Sequence, residues 1–192
     1  MKFVIIVGKT ASGKDTIARH LNDVLGIKPI VSYTTRPKRE NEKDGVEHYF
    51  ISDEQMDAIL RNGVANLIAY TQFPKTGYRY FAVDPDIDGT SDETRSYIIN
   101  PDGIKWMKEN YYGNGKFFTV YIDCDEDTIL KRATNIRGDK LDDVIKRLDS
   151  EREQFDAFKN SKEYNFLFDN NGCNYSESMS KLEVKLKEFM ED

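Results

Sequence analysis

The start of the chain limits most what it can fold into. Residues 3–7, FVIIV, form an unbroken apolar run dominated by β-branched side chains. A run without alternation reads as a strand buried on both faces, as in the middle of a parallel sheet. It ends at Gly8. Beyond a short loop, Ile17, Ala18, Leu21, Val24 and Leu25 recur at helical spacing, and Gly26 closes the helix. A strand that feeds through a tight glycine loop into a helix is half of a βαβ unit. It commits the chain to a parallel sheet flanked by helices.

The loop between them reads GKTASGKDT, residues 8–16. Gly8 and Gly13 let the backbone turn so that the amides across Lys9, Thr10, Ala11 and Ser12 point inward. Those amides and the positive end of the helix together make an anion cradle. The spacing G-x-x-x-x-G-K, with a strand before and a helix after, is that of a phosphate loop, and it carries Lys14 to the terminal phosphates of a nucleotide. Asp15 stands where Ser or Thr is usual. A carboxylate is a hard oxygen ligand suited to Mg²⁺, directly or through water, and Thr16 adds a hydroxyl one residue later. An acid in a helix's first turn is also favoured by the helix dipole alone.

Strand-like stretches then fall at 64–71 and 78–83, around the turn FPKTG, and at 96–100, 116–124 and 165–168. Helical stretches fall at 53–63, where Ser52 and Gln55 have capping-box spacing, at 104–112 with Pro101 near the start, at 125–134, at 142–158 and at 176–190. Residues 32–83 are rich in strand and turn and break the alternation, which marks them as an excursion from the core. Trp106 and Met107 are expected to pack a helix, His20 to sit on a helix surface, and the acidic run 84–93 to form a solvated loop.

The 192 residues suit one α/β domain with room for a small inserted subdomain. The net charge of −6 excludes a broadly basic nucleic-acid surface, so any phosphate-binding charge must be local. Arg36 and Arg39 supply such charge beside Ser32, Tyr33, Thr34 and Thr35. Arginine pairs phosphate oxygens bidentately, though a mixed-charge surface loop fits the same residues. Cys124 and Cys173 lack metal-ligand spacing and read as buried or idle thiols in a reducing compartment. No apolar run approaches the roughly 18 residues of a membrane span, and the N-terminal run is too short for a signal peptide, so a cytoplasmic protein is expected.

VSYTTRPKRENEKDGVEHYF, residues 31–50, resembles the signature of the guanylate kinase family. With GKTASGKDT and the late IRGDKLDDVIKRL, the likeness runs in order along nearly the whole chain. It implies a single guanylate kinase-like domain over 1–192. Its parts would be a P-loop kinase core (1–31 and 96–192), a strand-rich NMP-binding subdomain (32–83) and a helical lid (about 132–150). It implies an ATP-dependent nucleoside monophosphate kinase, with Mg²⁺ as cofactor and GMP or dGMP as acceptor. No nucleic-acid or membrane partner is implied, and the chain would be a monomer or homodimer. Residue by residue, it places Lys14 and the loop amides on the ATP phosphates, and Arg36, Arg39 and Tyr78 on the acceptor phosphate, with Glu42 beside them. Ser32 would read the guanine carbonyl. Arg137 and Arg147 would close over the moving phosphoryl group, and Arg132 would open the lid segment and bind ATP.

The chain departs from the family pattern at the base site. Ala69 stands where the family has a guanine-binding glutamate, Tyr80 where it has Ser or Thr, and Arg79 where it has Gly. Asn100, followed by Asp102, stands for an aspartate. His48 takes the place of a tyrosine and is followed by Tyr49, which joins Ser32, Asn100 and Asp102 as an expected acceptor-site residue. Guanine offers two adjacent N–H donors that a carboxylate pairs, so its loss opens the alternative of another (deoxy)nucleoside monophosphate. A non-catalytic binding module of the same fold and a hydrolytic switch are the other classes; the intact Lys14, Arg36 and Arg39 speak against the first, and the lack of a convincing Asp-x-x-Gly after a strand against the second.

Overall fold

The computed structural model describes residues 1–40, 42–63, 67–72, 76–84, 90–111, 113–172 and 174–192. In chain order the elements begin β1 (Lys2–Val7), α1 (Lys14–Leu25), β2 (Lys28–Pro29), β3 (Ser32–Thr34), β4 (His48–Phe50) and α2 (Asp53–Gly63). Next come β5 (Leu67–Gln72), β6 (Arg79–Val83), β7 (Thr94–Ile98), α3 (Pro101–Asn110) and β8 (Lys116–Asp123). The chain ends with α4 (Glu126–Lys131), a π-helical turn (Arg132–Ile136), α5 (Leu141–Ser161), β9 (Phe166–Asp169) and α6 (Tyr175–Glu191). They form two compact units.

The larger unit comprises Lys2–Pro29, Glu93–Pro101 and Lys116–Asp192. Its sheet has the order β2-β7-β1-β8-β9, and every neighbouring pair is parallel. β1 is central, and Phe3 through Val7 are fully buried, as the unbroken apolar run requires. On one side Ile17 and Leu21 of α1 and Leu182 and Leu186 of α6 close over Val4 and Val120. Each such side chain contributes roughly 1.5–3 kcal/mol by leaving water. A second cluster gathers Cys124, Ile129, Ala133, Val144 and Leu148, which seats α4, the π turn and α5. Asp125 caps α4 by accepting from the Thr128 amide at 2.7 Å. His20 Nε2 meets Glu183 Oε1 at 2.6 Å, so this half-buried surface residue joins α1 to α6. Cys124 is a free, buried thiol; Cys173 lies outside the described residues.

The smaller unit comprises Ile30–Asp92 and Asp102–Gly115, with Met1. Its sheet has the order β4-β3-β6-β5, with β3 and β4 parallel and the other pairs antiparallel. Met56, Leu67 and Phe81 form its core, with Tyr33, Tyr70 and Trp106 packed on them. The capping box on α2 is reciprocal: the Ser52 amide donates to Gln55 Oε1 at 2.8 Å and the Gln55 amide to Ser52 Oγ at 3.2 Å.

This unit reaches beyond the excursion expected over 32–83, because α3 brings Trp106 onto its core. α5 is longer than its expected 142–158 and runs Leu141–Ser161; its last residues, Lys159, Asn160 and Ser161, are polar and carry no apolar period to mark them as helical. Parts of the expected strand over 64–71, the turn FPKTG and the acidic run 84–93 lie outside the described residues. Among the described residues, no helix is long and apolar enough to cross a membrane.

Candidate active site

In the larger unit, the loop from Gly8 to Lys14 joins the C-terminal end of β1 to the start of α1. Ala11 adopts φ 50° and Gly13 φ 99°, so two left-handed residues turn the backbone within three positions. Gly13 has a second reason to be glycine: a Cβ there would stand 2.5 Å from Asn170 Nδ2. A Cβ on Gly8 would stand 2.6 Å from the buried Ser12 Oγ. Lys14 turns its ammonium back into the loop, donating to the carbonyls of Gly8 at 2.8 Å and Lys9 at 2.7 Å. Desolvation pushes its pKa down, and Arg137 pushes the same way, while Glu151 and Asp15 pull it up. Asp15 and Thr16 are exposed in the first turn of α1. Among the described residues no group of three or more His, Cys, Asp or Glu could hold a metal ion. The hard oxygens of Asp15 and Thr16 suit a hard cation such as Mg²⁺, which takes oxygen ligands.

Two further residues brace the loop. Asn170, 4% exposed beyond β9, donates from Nδ2 to the Ser12 carbonyl at 2.7 Å. Arg132 donates to the Asn170 carbonyl at 3.0 Å, which brings this expected ATP-site residue beside Gly13. Asp169 closes its own turn, accepting from Asn171 and Asn174, and those bonds hold its carboxyl below the usual carboxylate range. Arg137 lies in the field of Lys14 and 3.5 Å from Asp139, whereas Arg147 is exposed on α5. Sequence reasoning missed Asn170 and also Glu151, whose Oε2 accepts from the Thr10 amide at 2.8 Å.

In the smaller unit, Arg36 and Glu42 form a bidentate pair, Nη1 to Oε2 at 2.6 Å and Nη2 to Oε1 at 2.5 Å. The Arg39 amide donates to the same carboxylate at 2.8 Å. The hydrogen bonds from Arg36 hold the Glu42 carboxyl down to about 2, against a desolvation that works the other way. Arg36 also sits 5.2 Å from the centre of the Phe50 ring. Glu42 thus fixes Arg36, while the Arg39 side chain stays 55% exposed.

Strand register sorts the remaining candidates by face. Ser32 pairs with His48, and Ser32 Oγ lies 2.8 Å from His48 Nδ1. Tyr80 packs edge-on against His48 at 5.6 Å. Tyr49 pairs with Tyr33 and stacks on it at 4.8 Å, so it faces away from Ser32. His48, not Tyr49, shares the face of Ser32. Tyr78 stands just before β6. Arg79 binds Asp53 and Asp57, which ties β6 to α2. Asn100 belongs to the larger unit and Asp102, in the first turn of α3, to the smaller.

Comparison with known proteins identifies the family and the fold. The family model described as guanylate kinase matches residues 1–191. A guanylate kinase of Blochmanniella floridana is 28% identical over 175 residues, covering 88% of this chain and 79% of its own. One of Syntrophus aciditrophicus is 27% identical over 156 residues, covering 79% and 72%. The crystal structure of guanylate kinase from Anaplasma phagocytophilum superposes with a TM-score of 0.62 at 17% identity, over 100% of this chain and 87% of that one, and shares the fold. A glycine loop with Lys14 turned into it and a family match from the first residue to the last but one lead to one conclusion: the chain belongs to the guanylate kinase family and is a nucleotide-binding phosphotransferase.

Proposed function

We propose that the protein transfers the γ-phosphoryl group of ATP to GMP or dGMP. The observation that carries this reading is Lys14, held by two loop carbonyls at the start of α1 in an intact glycine loop. Phosphoryl transfer needs in-line positioning and neutralisation of charge, and little covalent chemistry from the protein. Lys14 and the loop amides hold the β- and γ-phosphates. Asp15 and Thr16 would hold Mg²⁺, directly or through water, and the ion would supply charge neutralisation on the phosphates. Arg132 serves the ATP side, and Arg36, Arg39 and Tyr78 aim the acceptor phosphate, with Arg36 oriented by Glu42. Ser32 and His48, with Asn100 and Asp102, serve the base. Arg137 and Arg147 approach the moving group from the lid and help exclude water. No general base is needed, since the acceptor phosphate is already anionic.

One observation favours a second reading, transfer to another (deoxy)nucleoside monophosphate. The strand residues that share the face of Ser32 include His48, Ala69 and Tyr80, and none of the described strand residues on that face is a carboxylate. The nearby Asp84 is engaged by the Tyr111 hydroxyl at 2.6 Å. Losing a charge-assisted pair with guanine costs on the order of 10²-fold in discrimination. Following ADP formation from Mg-ATP with GMP, dGMP, AMP, dAMP, CMP, dCMP, UMP and dTMP separates the readings. Turnover confined to GMP and dGMP supports the first, and turnover of another nucleotide in preference supports the second.

A further inference from the structure

The helix that follows the lid segment sends a carboxylate into the phosphate loop. Glu151, half-buried on α5, accepts from the backbone amide of Thr10 at 2.8 Å. Thr10 lies between Gly8 and Gly13, where the loop turns its amides toward an anion. The same carboxylate acts electrostatically on the Lys14 ammonium. A second link runs from α5 to the loop, because Asp156 accepts from Lys9 Nζ at 3.1 Å. That ammonium is also 3.9 Å from Glu126. Arg147 precedes Glu151 by four residues and shares its side of α5.

A carboxylate on a loop amide and in the field of the loop lysine does what a bound phosphate does. It gives an inward N–H an acceptor and Lys14 a counter-charge. The two anions repel each other, so a phosphate arriving at Lys14 weakens the hold of Glu151 on Thr10.

We propose that Glu151 is a built-in stand-in for the nucleotide phosphate. It holds the loop in the nucleotide-free protein and is displaced by the terminal phosphate of ATP. Filling the loop then frees α5 from Thr10, which couples phosphate arrival to the helix that carries Arg147. The proposal rests on the reading of this loop as the ATP phosphate site.

A ligand that must displace a resident group binds more weakly, in proportion to the fraction of protein that is open. A loop held nine-tenths of the time costs about tenfold in apparent affinity. Titration calorimetry with Mg-ATP on the full chain tests this with Glu151→Ala, Glu151→Gln and the loop control Lys14→Met. The proposal expects Glu151→Ala to bind about tenfold more tightly than the parent. Glu151→Gln, which keeps an acceptor without the charge, should fall between the two. If Glu151→Ala fails to fold, tighter binding by Glu151→Gln carries the test alone. Binding that is unchanged or weaker in both Glu151 variants, while Lys14→Met loses binding, overturns the proposal and leaves the loop reading intact. If Lys14→Met binds as the parent does, the loop reading fails and the proposal with it.

Discussion

Asn170 donates its side-chain amide to the carbonyl oxygen of Ser12 at 2.7 Å, across 158 positions of sequence. Its own backbone amide donates to the Asp123 carbonyl at 2.9 Å, and its carbonyl accepts from Arg132. One buried residue therefore ties together the ends of β8 and β9, the π-helical turn that opens at Arg132 and the middle of the glycine loop.

Removing that tie leaves a buried loop carbonyl without its donor, which costs roughly 1–3 kcal/mol. Asn170→Ala should lower the unfolding free energy measured in urea by that amount, with a lower midpoint, and raise the KM for ATP severalfold. A midpoint equal to the parent's would show that the loop holds its shape without Asn170.

Gly13→Ala should be more harmful, for two separable reasons. A left-handed φ costs a residue with a Cβ about 1–2 kcal/mol, and the new methyl would stand 2.5 Å from Asn170 Nδ2. Only the second penalty depends on Asn170. The double variant Gly13→Ala/Asn170→Ala should therefore be more stable than the sum of the singles implies. Strict additivity in denaturant unfolding would remove the contact from the explanation.

Glu42 makes stability depend on acid. Its folded pKa is about 2, below the ordinary 4.5, so the folded state favours the carboxylate. The stabilisation is fully present above the ordinary value and is lost as pH falls toward 2. Parent and Glu42→Gln, compared by urea unfolding, should differ most near neutrality and converge at the acid end. A gap constant down to pH 2 would contradict the pairing with Arg36. The variant should also raise the acceptor KM, since Arg36 loses the carboxylate that orients it.

Much of this was legible where the signal is local. The loop spacing, the unbroken run of β1 and the reciprocal cap of Ser52 and Gln55 need only neighbours along the chain. That Trp106 packs its helix followed from its type, but its placement on the core of the smaller unit did not, because that depends on where α3 comes to rest. Tyr49 and His48 differ by one position, and in a strand one position changes the face; only the pairing of β3 with β4 decides which side chain joins Ser32. Asn170 and Glu151 carry no spacing motif. Each reaches the loop from an element more than a hundred residues away, and only the folded sheet brings them there.

The central claim is that the loop around Lys14 delivers a phosphoryl group to a nucleotide acceptor. ATP labelled in its γ-phosphate, mixed with GMP, Mg²⁺ and enzyme, tests it directly. The account predicts label in GDP, with transfer falling at least about 10²-fold in Lys14→Met while the variant stays folded. Label released only as inorganic phosphate, or transfer undiminished in Lys14→Met, would contradict it.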